Sequence, residues 1–135
     1  MKKIAFIFLI SGICLLVGCS AKLPSTRCDV TGYQKTMQPI LQRWDDAWAL
    51  ASVTARGNLS PVIADLQAIR REVQFAQIPE CTKDANGLLI VAMNYGIDEY
   101  MAFIAQRLDS VVKDNESKYQ SSFNQYTQAV KDLTK

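Results

Sequence analysis

From Thr31 onward the apolar positions recur every three or four residues, and no run of alternating β-branched residues suggests a strand. Met37, Leu41, Trp44, Trp48, Ala51 and Ala55 line one face of a helix predicted over about 33–56. Pro39 falls inside it, so either the helix kinks there or its regular part begins near Gln38. Gly57 supplies a left-handed stop. Ser60-Pro61 reads as an N-cap followed by proline at the first helical position, opening a second helix over about 61–77. Its inner face is Val62, Leu66, Ile69, Val73 and Ala76, and Pro79 ends it by restricting Ile78. Thr82 is the expected cap of a third helix, about 83–108, with Asp84 favourable in the first turn. Ala85, Leu89, Met93, Ile97, Tyr100, Ile104 and Leu108 face inward, and Leu88, Ala92, Met101 and Phe103 broaden the stripe, so this helix should be the most buried. Gly96 costs about 1 kcal/mol against alanine in mid-helix and offers a place for another element to approach closely. The pattern weakens over 109–115, where Asp114-Asn115 offers a cap. A fourth helix, about 115–133, then carries Tyr119, Phe123, Tyr126, Val130 and Leu133.

Short connections make consecutive helices antiparallel. The fold class expected is all-α, an antiparallel up-down helical bundle of three to four helices. No internal repeat or low-complexity segment interrupts it.

The first 18 residues follow a different pattern. Lys2 and Lys3 precede an apolar stretch from Ile4 to Val17, broken only by Ser11 and Gly12. At about 1.5 Å per residue that stretch spans roughly 21 Å, short of a hydrocarbon core of about 30 Å, so an export signal is a better reading than a permanent span. Leu16-Val17-Gly18-Cys19 closes it with two aliphatic residues, one small residue and a cysteine. In this segment the chain resembles bacterial lipoproteins. That resemblance implies diacylglyceryl attachment to Cys19 and cleavage before it, leaving a lipid-anchored protein on the exported side of the cell membrane or outer membrane. The same resemblance implies that Ser20, where Gram-negative lipoproteins kept at the inner membrane carry aspartate, favours the outer membrane, or the outer leaflet of the plasma membrane in a host with one membrane. The chain then divides into a signal peptide (1–18), a lipidated tether (19–30) and a helical domain (31–135).

Charge changes with this reading. Of the 15 Lys and Arg, Lys2 and Lys3 leave with the signal, so 13 basic side chains balance 13 acidic ones. A neutral domain argues against a nucleic-acid surface, which needs clustered basic residues. About 105 residues suffice for one modest core. Of four cysteines, Cys14 leaves and Cys19 is lipidated; Cys28 and Cys81 remain, and an exported pair reads as a disulfide. Topology agrees: Cys28 precedes the first helix and Cys81 joins the second to the third, so both fall at one end of an up-down bundle.

Candidate sites are few. Trp44-Asp45-Asp46-Ala47-Trp48 could be an aromatic and acidic binding patch, but the tryptophans continue the apolar stripe and read better as core. An Asp45–Arg70 pair would fix the register of the first two helices. Met37, Met93 and Met101 read as gap-fillers rather than a soft-metal groove. The stripe Tyr119, Phe123 and Tyr126 belongs to the helix most apt to detach or meet a partner, although packing on the first three helices is the leading reading. With no histidine, His-ligated haem, His-containing zinc sites and Ser-His-Asp catalysis are excluded, and no glycine-rich phosphate loop is present. Asn58-Leu59-Ser60 and Asn115-Glu116-Ser117 match glycosylation acceptors that have no expected role in a bacterial lipoprotein. The strings Trp44-Asp45-Asp46-Ala47, Leu66-Gln67-Ala68-Ile69-Arg70-Arg71-Glu72 and Pro79-Glu80-Cys81 also resemble small bacterial exported helical proteins, a likeness that implies no activity.

These readings lead to a non-enzymatic envelope lipoprotein acting through protein contacts, with no cofactor, no metal and no nucleic-acid partner. The alternative is a module binding a small apolar ligand in a cavity lined by Trp44, Trp48, Met93, Tyr100 and Phe103. A hydrolase using Asp45, Asp46, Asp98 or Glu99 comes third. The short tether turns the Cys28–Cys81 end toward the membrane and leaves the turns at 57–60 and 109–115 to meet a partner.

Overall fold

A computed structural model describes residues 28–135; the export segment, the lipobox and Cys19 lie outside them. Four α-helices form the bundle: α1 (Val30–Val53), α2 (Leu59–Phe75), α3 (Lys83–Ile104) and α4 (Asp109–Asp132). Single 3-10 turns at Arg56–Asn58 and Glu80–Thr82 precede α2 and α3. No strand occurs among the described residues.

Local chemistry sets most of these limits. Asp29 caps α1 by accepting the Gly32 N–H at 2.8 Å, so the helix starts three residues before Tyr33. It runs unbroken through Pro39; the carbonyl this frees belongs to exposed Lys35, where water can satisfy it. α1 stops at Val53 rather than near 56, because Thr54 turns extended. Ala55 therefore leaves the inner face and is exposed. Gly57 sits in the 3-10 turn, and no described glycine has positive φ, so the left-handed stop expected there is absent. Asn58, not Ser60, occupies the N-cap position of α2. Pro61 is still tolerated, since first-turn N–H groups have no intrahelical partner. At the other end α2 stops at Phe75, ahead of the Ile78-Pro79 pair. Thr82 is the N-cap of α3, but its hydroxyl donates to the Pro79 carbonyl at 2.8 Å instead of capping.

The largest departure is between α3 and α4. α3 ends at Ile104 in a Schellman turn: the Arg107 N–H donates to the Ala102 carbonyl (3.0 Å) and the Gln106 N–H to that of Phe103 (3.2 Å). The left-handed position is Gln106, at φ 54°. Leu108, expected on the inner stripe, is thrown out and is 76% exposed. α4 begins at Asp109 and not near 115; Asp114 lies inside it, paired with Lys118 one turn on at 2.6 Å.

The inner faces otherwise follow the apolar periodicity. Met37, Trp44, Ala51, Leu66, Ile69, Val73, Leu89, Met93, Ile97, Tyr126 and Val130 are all buried. α3 is central: α2 packs on one side of it and α4, most intimately, on another. Among the described residues it is also the one helix long and apolar enough to cross a membrane by length and composition, and its inner residues are the middle of the core. Cys28 and Cys81 form a disulfide, Cα atoms 5.8 Å apart, at the end where α1 and α3 start and α2 and α4 finish. The register pair is not Asp45–Arg70. Arg43 and Glu72 pair across α1 and α2 through two hydrogen bonds, while Arg70 donates to Gln74 on its own helix at 3.0 Å.

Candidate functional site

The aromatic residues singled out in the sequence come together as one row between α1, α3 and α4. Trp44 stacks on Trp48 (centroids 5.9 Å apart), Trp48 on Tyr119 (4.6 Å), and Tyr100 meets the Trp48 edge at 4.9 Å. Tyr119, Phe123 and Tyr126 continue the row along α4 at 6.0 and 5.7 Å. The Trp44 indole N–H donates to the Tyr119 hydroxyl at 3.2 Å, satisfying a donor that burial would otherwise orphan. Gly96 makes the row possible. A Cβ there would stand 2.6 Å from the Trp48 ring and 3.3 Å from Tyr119, so only glycine admits both. The rings fill space rather than enclose it: Trp44 and Met93 are fully buried, and Phe103 turns outward beneath the Arg56 guanidinium at 4.4 Å. Of the residues expected to line an apolar cavity, Trp44, Trp48, Met93 and Tyr100 therefore belong to the packed interior and Phe103 does not. Met37 also fills the core, whereas Met101 is about half exposed.

A groove lies beside this row, between α1 and α4, with a volume of about 700 Å³. Gln34, Gln38 and Gln42, each one turn apart on α1, face Thr127 and Lys131 of α4, over a floor that includes Met37, Leu41, Tyr126 and Val130. Asp45 closes one end, its carboxyl raised by desolvation and then by neighbouring Asp46. The row of glutamines was visible in the sequence, but glutamine at helical spacing ordinarily marks a solvated face, so the groove was not anticipated.

The four carboxylates considered for catalysis are not assembled into one centre. Asp45 and Asp46 are exposed on α1 and Asp98 is exposed on α3. Glu99 is different. Its Oε2 is enclosed without a hydrogen-bond partner, and burial, with the Glu116 carboxylate as the lesser cause, pushes its carboxyl up to about 7. Among the described residues no group of three or more His, Cys, Asp or Glu is placed to hold a metal ion.

The two ends of the bundle differ in finish. Beside the disulfide, the Tyr33 hydroxyl donates to Asn86 Oδ1 (3.3 Å) and Asn86 Nδ2 donates to the Val73 carbonyl (3.2 Å), satisfying a carbonyl in the last turn of α2. Burial and then Tyr126 raise the Tyr33 hydroxyl. At the far end, Leu50, Val53, Met101, Phe103, Leu108 and Val111 are exposed, Val53 and Leu108 by 80% and 76%. No protein-family model, curated protein or solved structure matches this chain.

Proposed function

We propose that this protein is a lipid-anchored envelope protein, held at the membrane through Cys19 and acting by protein contact at the far end of its bundle. The observation that carries the reading is the Leu16-Val17-Gly18-Cys19 run together with the nine-residue step from Cys19 to the disulfide end. Eight intervening residues reach about 28 Å at most, so the disulfide end stays near the membrane and the exposed apolar end is carried away from it. A disulfide in a small domain also fits an oxidising, exported compartment. Metabolic labelling with an alkyne fatty acid tests the anchor. The wild-type chain takes the label and partitions into detergent; Cys19→Ser does neither, and label retained by that variant would end the proposal. A photo-crosslinking residue at position 53 or 108 should give one discrete protein adduct, and one at position 75, near the disulfide end, should not.

The α1–α4 groove favours a second reading, a module that binds a small amphipathic ligand between an apolar floor and a row of amides. Native mass spectrometry separates the two. A retained small molecule lost on Leu41→Arg supports the ligand module, and an empty chain that still crosslinks at position 108 supports the contact protein.

A further inference from the structure

Glu99 follows Gly96 by three residues on α3 and so lies on the same side of that helix, toward α4. Its Oε2 is enclosed with no hydrogen-bond donor among the described residues. The groups that face it are acidic or neutral. From α4 come the Glu116 carboxylate and the Tyr119 hydroxyl, and from α3 itself the Tyr100 hydroxyl. From α1 come the uncharged Trp48 ring, stacked on Tyr119, and Asp45, which bears on Tyr119. Two cations of the region are engaged elsewhere. Arg56, from the turn before α2, covers Phe103, and Lys118 of α4 is held by Asp114 and stands over Tyr95.

We infer that Glu99 is a proton-operated latch on the α3–α4 seam: protonated, it lets residues 109–119 lie against α3; ionised, it is repelled by Glu116 and loosens that half of α4. A neutral carboxyl is tolerated in such a seam, whereas a carboxylate with one oxygen enclosed and no donor to it bears a desolvation penalty. Because the carboxyl is held above its ordinary 4.5, at about 7, ionisation costs stability. The contribution of Glu99 to stability is greatest below pH 4.5, falls as pH rises toward 7, and stays low above it. The chain has no histidine, so no other side chain with an ordinary pKa changes charge between pH 5 and 8. Loosening stays local because the other half of α4 is held by buried Tyr126 and Val130 near the disulfide end.

The test uses the full chain in detergent. Tryptophan emission, reporting the Trp48–Tyr119 stack, and amide exchange of residues 109–119, corrected for intrinsic rate and referred to α2, are followed from pH 5.5 to 8.5. Both should change together with a midpoint near 7 in the wild-type protein. Glu99→Gln should abolish the change and raise the melting temperature at pH 8 by about 5 °C or more. Glu116→Gln should keep the change and move its midpoint to lower pH. A flat wild-type response, a transition that survives in Glu99→Gln, or an unmoved midpoint in Glu116→Gln would each overturn the latch.

Discussion

The two ends of this bundle solve the same problem differently. At the disulfide end, where Phe75 is the one large apolar side chain left exposed, α1, α2 and α3 are tied together by specific links: the Cys28–Cys81 bond, the Asn86 side chain joining α1 to the last turn of α2, and the Thr82 hydroxyl on Pro79. At the far end the side-chain ties are local, such as the Thr54 hydroxyl on the Leu50 carbonyl at 2.6 Å, one left-handed residue is a glutamine, and six large apolar side chains face solvent. Leaving apolar surface exposed forgoes burial worth about 25 cal/mol per Å². The far end therefore contributes less to stability than its apolar content would allow.

Four variants sharpen or break that contrast. Removing the disulfide with Cys28→Ser and Cys81→Ser frees a sequence separation of 53 and should cost about 4 kcal/mol of unfolding free energy on the chain-entropy view. An unchanged denaturation midpoint would mean that the two ends are equally secure. Asn86→Ala leaves the Val73 carbonyl and the Tyr33 hydroxyl without their partner, and should cost about 2 kcal/mol in the same experiment. The far end should respond in the opposite sense. Gln106→Gly relieves a left-handed residue and should stabilise by about 1 kcal/mol; destabilisation would show that the glutamine side chain holds the turn. Leu108→Ser should change stability by less than about 0.5 kcal/mol while reducing any crosslink made at the far end. A larger loss would place Leu108 in the core and remove the contrast.

The helical faces were legible because burial here follows the 3.6-residue period, as the enclosure of Trp44, Leu66, Leu89 and Tyr126 shows. The disulfide was legible too, since topology and cysteine count pointed to one pair. What escaped depends on side-chain reach or on unfavoured residues in special places. A Schellman turn without glycine carries no sequence mark, so α3 was extended to 108 and α4 started late. Polar residues near the junction hid the first turns of α4, whose outward face is simply solvated. The choice of Arg43–Glu72 over Asp45–Arg70 turns on side-chain reach between helices, which residue spacing does not resolve. Glu99 was noted as a carboxylate, but its isolation comes from Glu116 and the aromatic row, which only the folded seam brings to it.

The position of the disulfide has a mechanical consequence. A pull applied at residue 28 and resisted near the end of α3 does not pass through α1 and α2 in series. Load crosses the Cys28–Cys81 bond directly and runs along α3 alone. The loop the bond closes, a sequence separation of 53, is shielded from tension, and either helix in it can melt without lengthening the chain. Reducing the bond would put both helices under load, and extension at constant force would increase by the contour of that loop.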